Sequence, residues 1–290
     1  MLSIVFSLIC SVSVGVLFKI AKNYKIVLMQ IIGWNYVIAL LFTQLAFSPD
    51  WQSLSVNDFP VMVLSSLWIL LPIVFLFQAL SLKYVGIVKT DIAQRLSLFI
   101  PILASYFLFG ETFSDYKIIG LVVAFLAIFF TLYRDDRNLS HDKSSKWQYP
   151  LLVLLGFGVI DVLFKKVAAF TAVPYTTSLA VVFSGALIVA WGINLYKIVN
   201  KKEVFQTSNI GWGVALGLLN FGNIHFYLKA HQELSENPST VFATMNLGVI
   251  ILGSFIGVLF FKEKLNKMNY LGIIMALVAV VLIMISQLKV

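Results

Sequence analysis

The chain has 290 residues, of which 60% are hydrophobic and only 12% are charged. A soluble domain carries about 25% charged residues to cover its surface, so this composition excludes an ordinary soluble protein and predicts a chain embedded in a lipid bilayer. The formal net charge is +8. Because the lysines fall mainly between apolar blocks, they indicate loop charges that set membrane orientation rather than a nucleic-acid interface.

The apolar residues form long blocks without period-2 alternation, which predicts transmembrane helices and not barrel strands. A spanning helix needs about 20 mostly apolar residues. The first block lacks the basic leader and the cleavage site of a signal peptide, so we expect it to be retained as a helix. Ten segments meet the length requirement, at residues 2–20, 26–46, 60–80, 91–109, 117–133, 149–168, 173–196, 210–229, 239–261 and 268–287.

Two prolines, Pro72 and Pro101, fall inside predicted helices. A proline in a helix interior removes one backbone hydrogen bond and clashes with the preceding turn, so each position predicts a kink. We expect the kink at Pro101 to act as a hinge that helps the fourth helix move between conformational states.

The two halves of the chain repeat on either side of a polar stretch at residues 134–146. The duplicated motifs are Val-Leu-Phe-Lys at 16–19 and 162–165, a glutamate-containing dipeptide at 110–111 and 262–263, and a Glu-to-Gly spacing at 111–120 and 263–272. An odd number of helices per repeat inserts the second copy upside down, an arrangement that recurs in transporters. The sequence therefore predicts an all-α integral membrane fold, with ten transmembrane helices as two inverted five-helix repeats at residues 1–146 and 147–290.

These motifs resemble the drug/metabolite transporter superfamily, in the bacterial ten-helix branch whose repeat unit is the EamA domain. The resemblance rests on the lysines that close the first helix of each repeat, Lys19 and Lys165, and on the run Ala-Leu-Ser-Leu-Lys-Tyr at 79–84 followed by Pro101. The second repeat departs from the pattern, with Gly253 at the place of Pro101. The resemblance implies export or exchange of metabolites such as amino acids across the bacterial inner (plasma) membrane, without an ATPase domain.

Ionisable residues inside spanning helices are costly and usually face a cavity or a partner. Asp91 and Arg95 lie four residues apart, as do Asp161 and Lys165, and this spacing places both members on one helix face. Two interpretations stay open. Each pair either neutralises itself and orients its helix, or lines a polar cavity that binds charged substrate groups or a proton.

Amide side chains extend this polar set to other helices. Asn220, Asn223 and Tyr227 fall on one stripe of the eighth predicted helix. A single amide usually joins two helices by hydrogen bonds, but amides on helices two, four, eight and nine favour a shared polar cavity. The candidate lining residues are Trp34, Asn35, Asp91, Gln94, Arg95, Asp161, Lys165, Asn220, Asn223 and Asn246.

Signatures of enzymes and of bound groups are missing from the sequence. It contains no Gly-x-Ser-x-Gly elbow, no His-Glu-x-x-His motif and no phosphate-binding loop. The single cysteine, Cys10, and three scattered histidines predict neither a disulfide nor a metal site. We therefore expect no enzyme, no cofactor and no metal. Glu111 and Glu263 are predicted to pair with a loop lysine or arginine, because a helix C-terminus disfavours a lone carboxylate.

The sequence favours a secondary transporter, an exporter or exchanger of a small polar or amphipathic metabolite such as an amino acid. We expect it to work by alternating access at a midplane cavity between the repeats. The alternative is a flippase-like carrier of a lipid or lipid-linked sugar, and a membrane-embedded enzyme is disfavoured. Since no nucleotide site exists, the energy must come from an ion gradient, exchange or facilitation, and the coupling ion stays open.

Charge counts predict the orientation of the chain. Basic residues concentrate on connections that follow odd-numbered helices, where fourteen lie against four on the other side. The positive-inside rule then places both termini outside the cytoplasm, although the family resemblance implies that they more often lie inside. The fourteen are Lys22, Lys25, Lys83, Lys89, Arg134, Arg137, Lys143, Lys146, Lys197, Lys201, Lys202, Lys262, Lys264 and Lys267, and the four are Lys117, Lys166, Lys229 and Lys289.

Overall fold

The structure is a computed structural model that describes residues 2–21, 24–49, 60–85, 87–132, 146–262 and 265–288. Throughout these ranges the regular secondary structure is helical, with no strand. The helices are α1 (Leu2–Ala21), α2 (Leu28–Phe47), α3 (Val61–Tyr84), α4 (Ile87–Leu96), α5 (Phe99–Phe107), α6 (Asp115–Leu132), α7 (Gln148–Ala169), α8 (Tyr175–Val199), α9 (Ser208–Glu233), α10 (Pro238–Phe261) and α11 (Lys267–Leu288).

All ten predicted segments are helical, and the fourth consists of two helices, α4 and α5. The break lies at Ser97 and Leu98, where the Ser97 hydroxyl donates to the carbonyl of Gln94 at 2.6 Å. Pro101 was expected in mid-helix, but it is the third residue of α5. A proline in a first turn costs no hydrogen bond, because that N–H would have no partner within its helix. Pro72, by contrast, lies inside α3.

Six of the described helices are long and apolar enough to cross a bilayer by length and composition, as expected of an integral membrane protein. They combine at least 18 residues with few charges, so lipid can solvate their side chains. Their ranges are Leu2–Ala21, Leu28–Phe47, Val61–Ser81, Tyr175–Val199, Pro238–Phe261 and Lys267–Ser286.

The chain divides into two compact units. Unit 1 comprises Met1–Ala79 and Ile160–Glu233, and unit 2 comprises Leu80–Val159 and Leu234–Val290. Two of the three divisions fall inside helices, in α3 and in α7, and the third follows the last residue of α9. Each unit takes segments from both halves of the chain, so the compact units differ from the predicted repeats. The repeats are defined by duplicated sequence, and they stay a prediction.

In unit 1, α2 packs closely against α9 because α9 presents two glycines. A Cβ atom placed on Gly213 would lie 2.2 Å from the Cβ of Trp34, and one on Gly217 would lie 2.8 Å from the carbonyl oxygen of Asn35. Only glycine permits this approach. Gly253 of α10 is not packed in this way, since no described atom lies within 4 Å of a Cβ placed there.

One end of unit 1 is tied together by Gln30, a fully buried residue of α2. Its amide nitrogen donates to the carbonyl of Val204 at 2.8 Å. Its amide oxygen accepts from the backbone N–H of Gln206 and from the side chain of Asn209, each at 3.0 Å. Asn194 of α8 adds a bond of 2.8 Å to the carbonyl of Met29. These bonds join α2, α8 and the start of α9.

In unit 2, α6 and α11 contact each other through two glycines that the repeat aligns. A Cβ on Gly120 of α6 would lie 2.8 Å from Ile283 of α11, and a Cβ on Gly272 of α11 would lie 2.5 Å from Thr131 of α6. The contact is therefore reciprocal, because each helix has a glycine where the other helix packs against it. Small residues are common where helix backbones approach closely.

The residues before the two aligned glutamates share an uncommon backbone conformation. Gly110 has φ +64° and Lys262 has φ +52°, both in the left-handed region. Glycine adopts this region freely, whereas lysine is strained there. Lys262 ends α10, and its N–H bonds the carbonyl of Gly257. Gly110 lies three residues after the end of α5, so the aligned positions share a backbone conformation but not the same place at a helix end.

Candidate functional site

Two charged residues of α7 lie one helical turn apart, and both contact α9 within unit 1. The carboxylate of Asp161 accepts a hydrogen bond from the phenol of Tyr227, at 2.9 Å. The ammonium of Lys165 donates to the backbone carbonyl of His231, at 3.4 Å. We call these four residues the α7–α9 seam. The seam places an acid and a base side by side inside an apolar helix pair.

The seam is largely sealed from solvent. Lys165 is 3% exposed, Tyr227 is 7% exposed, and Asp161 is half-buried. The ring of Tyr227 meets the rings of Phe164 and His231 edge-on, with centroids 6.3 and 4.7 Å apart. A charge inside a bilayer costs at least about 2.5–3.5 kcal/mol, so the polar atoms of α9 stabilise the two charges.

The aligned positions of the first half have a different character. Lys19 is exposed near the end of α1, whereas Lys165 is buried. Gly15, which the repeat aligns with Asp161, is exposed, and no described atom lies within 4 Å of a Cβ placed on it. At these aligned positions, the acid and the buried base therefore belong to the second half alone.

The predicted polar stripe of α9 contacts two other helices. The side-chain oxygen of Asn223 accepts a bond of 2.8 Å from the hydroxyl of Ser7, a fully buried residue of α1. Tyr227 instead binds Asp161 of α7, and Asn220 is 7% exposed. Asn223 therefore joins two helices, while Tyr227 completes the α7–α9 seam.

The α1–α9 contact ends in a second polar bond. The hydroxyl of Ser3 donates to the carboxylate of Glu233 at 2.6 Å. Because this bond stabilises the charged form, it holds the pKa of Glu233 below its ordinary value. Glu233 is the last residue of α9, beyond its apolar segment, so this carboxylate belongs to the helix end rather than to the seam.

Trp34 and Asn35, two predicted site residues, lie at the middle of α2. Asn35 is fully buried, and neither polar atom of its amide has a hydrogen-bond partner within the described part of the chain. The same holds for the indole nitrogen of Trp34, whose ring meets Trp191 of α8 edge-on at 5.5 Å. An unpaired buried polar group costs about 1–3 kcal/mol, so both residues stay candidates for ligand binding.

The other predicted site residues belong to unit 2. Gln94 and Arg95 lie half-buried on α4, while the side chain of Asp91 lies outside the described part of the chain. The amide of Asn246 donates to the carbonyl of Phe242, one turn earlier on α10, at 3.1 Å. A role of these residues in binding stays a prediction, as does the hinge at Pro101.

Unit 2 contains a buried ion pair at the start of α10. Glu111 and Lys117 lie 2.7 Å apart and are 4% and 2% exposed. Lys117 also donates to the side-chain oxygen of Asn237 at 2.7 Å, and Glu111 accepts from the backbone N–H and hydroxyl of Ser239. Glu111 thus satisfies a free N–H at the N-terminus of α10. The predicted pairing of Glu111 with a lysine is confirmed, and Glu263 lies outside the described residues.

Three contact residues were not predicted from the sequence. Ser7 and His231 are single polar residues whose partners lie on other helices, so no local spacing reveals them. Lys117 was counted as a loop charge, although its position six residues after Glu111 was visible. No group of three or more His, Cys, Asp or Glu side chains that would suit a metal occurs among the described residues.

Comparisons with known proteins agree with this architecture. Residues 148–285 match the model of the EamA-like transporter family. An uncharacterized protein of Haemophilus influenzae is 40% identical over 283 residues, which cover 96% of each chain. A crystal structure with 14% identity superposes on 100% of this chain and 98% of its own, with a TM-score of 0.73, and so shares the fold. The chain therefore belongs to the EamA-like transporter family of the drug/metabolite transporter superfamily.

Proposed function

We propose that this protein is a secondary transporter that exports or exchanges a small polar or amphipathic metabolite, such as an amino acid, by alternating access. Family membership makes it a multi-pass membrane transporter, and we place it in the bacterial inner membrane. The α7–α9 seam carries the proposal. It holds an acid and a base one turn apart, a spacing that suits a substrate with one positive and one negative group.

The geometry favours substrate binding over a purely structural pair. If Asp161 and Lys165 served only to neutralise each other, their side chains would form an ion pair with each other. Instead Asp161 contacts Tyr227 and Lys165 contacts the carbonyl of His231. Tyr227 is a neutral partner, so the charge of Asp161 retains attraction for a positive group of a ligand. Buried charges in membrane helices commonly mark substrate pathways.

The test is transport in proteoliposomes with a panel of labelled amino acids, nucleosides and lipids, under imposed pH and sodium gradients. Asp161→Asn and Lys165→Met should each insert and fold but lose transport, and the double variant should not recover it. Lys166→Met is the matched control, because Lys166 is exposed on the same helix and its variant should transport normally.

Two outcomes would change the assignment. Transport at the wild-type rate in the double variant would remove the seam from the binding site and favour Asn35 and Asn220. Movement of labelled lipid alone would replace the metabolite transporter with a flippase-like carrier.

A further inference from the structure

Two carboxylates of this protein, the buried Glu111 and the half-buried Asp161, have different partners. Glu111 lies 2.7 Å from the ammonium of Lys117, which also binds Asn237. The protein therefore supplies Glu111 with a permanent cation. Asp161 receives its hydrogen bond from a phenol, Tyr227, which carries no charge. Among the residues that the structure describes, no ion pair involves Asp161.

The other titratable groups around Asp161 do not replace that cation. On α7, Lys165 directs its ammonium to the carbonyl of His231, and Lys166 is exposed. On α9, the His231 ring packs edge-on against Tyr227, and His225 stacks with aromatic rings instead. The helix α1 packs on α9 and carries Ser7, a neutral residue bound to Asn223, and Lys19, which is exposed.

A buried carboxylate without a bound cation is costly, and it becomes neutral by binding a proton or a metal ion. A metal ion is disfavoured here, since hard cations require about six oxygen ligands. The seam offers one carboxylate and one phenol, and no metal-binding cluster occurs in the described part of the chain. A proton needs no further ligand.

Tyr227 is suited to both protonation states of Asp161. A phenol donates its O–H to a carboxylate, and its oxygen accepts a hydrogen bond from a carboxylic acid. The hydrogen bond between Tyr227 and Asp161 can therefore form in both protonation states of Asp161. A lysine ammonium has hydrogen-bond donors only, so it suits the ionised carboxylate and not the carboxylic acid. We propose that Asp161 takes up and releases a proton in each transport cycle, so that the coupling ion of this transporter is H⁺. This inference rests on the proposed transport function and names its energy source.

Chemical labelling tests the proton directly, without a known substrate. Dicyclohexylcarbodiimide adds to a protonated carboxylic acid: the acid proton moves to a nitrogen of the reagent, and the carboxyl oxygen bonds its central carbon. The full-length protein in detergent is treated from about pH 5 to about pH 9, and labelled peptides are quantified by mass spectrometry. Labelling of Asp161 should fall about tenfold for each pH unit above its midpoint.

Glu111 serves as the internal control: its carboxylate lies 2.7 Å from the ammonium of Lys117, and we expect little labelling there. Lys117→Met should make Glu111 reactive, which shows that the reagent enters the fold. Tyr227→Phe should increase labelling of Asp161 at a given pH, since the phenol favours the carboxylate. An unlabelled Asp161 alongside a labelled Glu111 in the Lys117→Met variant would overturn the proposal.

A transport measurement in proteoliposomes distinguishes failure of this inference from failure of the proposed function. Wild-type proteoliposomes should accumulate the substrate faster under an imposed pH gradient than without one. If the transport rate does not depend on the pH gradient and labelling of Asp161 does not depend on pH, proton coupling is rejected and the proposed transport function stands. Failure of every panel member to move, combined with pH-dependent labelling of Asp161, would reject the transport function and retain the proton site.

Discussion

Gly185 of α8 illustrates how one missing methyl group determines local packing. A Cβ placed there would lie 2.1 Å from the indole ring of Trp68. We expect Gly185→Ala to destabilise the protein by about 1–3 kcal/mol through overpacking. Gly192→Ala on the same helix is the control: its Cβ meets no described atom within 4 Å, so it should be neutral or slightly stabilising. Unfolding in detergent, followed by tryptophan fluorescence, compares the two, and equal stability would contradict the packing argument.

The Glu111–Lys117 pair is predicted to be a structural element. Lys117→Met leaves a buried carboxylate without its cation, so the variant should lose about 3–5 kcal/mol of unfolding free energy. Adding Glu111→Gln removes the charge and keeps an oxygen to accept from Ser239, so the double variant should regain most of that loss. The measurement is denaturant unfolding in detergent. A double variant no more stable than Lys117→Met would refute the pairing as the cause.

The break between α4 and α5 is the candidate hinge of the predicted fourth span. Pro101 cannot donate a backbone hydrogen bond, whereas Pro101→Ala restores an N–H that can bond the carbonyl of Ser97 and join the two helices. We expect this variant to express normally and to transport more slowly in proteoliposomes. Unchanged transport rates would show that the break is passive.

The two left-handed residues before the aligned glutamates, Gly110 and Lys262, provide a reciprocal test of backbone strain. Lys262→Gly should stabilise the protein by about 1 kcal/mol, because it removes a lysine from the left-handed region. Gly110→Lys should cost a similar amount, since φ is positive there and no described atom crowds the position. Thermal melting of the two variants checks the signs, and a shared sign would show that other contacts dominate.

The orientation of the whole chain in the membrane follows from its charges. Lys117, one of the four basic residues on the minority side, is neutralised inside the fold by Glu111, which leaves three against fourteen. We therefore expect the C-terminus outside the cytoplasm. A fusion of green fluorescent protein at Val290 should be dark, and a periplasmic phosphatase fusion there should be active. Bright fluorescence would refute this placement.

Most of the helical architecture was predictable because its cause is local. Each of the ten predicted segments is a long apolar block, and all of them are helical in the structure. Their bounds follow from hydropathy, since a backbone in lipid must satisfy its own hydrogen bonds. The division at Ser97 and Leu98 was less visible, because Pro101 marks the irregularity but does not say on which side the helix breaks.

The candidate site was predictable only in part. The sequence by itself identified Asp161 and Lys165 as costly charges on one helix face, and it indicated that Glu111 needs a cation. It did not identify their partners. Tyr227 and His231 come next to Asp161 and Lys165 only when α7 packs on α9, and Lys117 meets Glu111 only when the start of α6 folds back on the preceding turn.

Composition and local spacing therefore determined that this protein is helical, membrane-embedded and related to the EamA-like transporters. The tertiary structure decided the partner of each carboxylate, an ammonium for Glu111 and a phenol for Asp161. The physical reason is that the cost of a buried charge is set by the groups within a few ångströms of it. For Glu111 that group is Lys117 at 2.7 Å, and for Asp161 it is the phenol of Tyr227 at 2.9 Å.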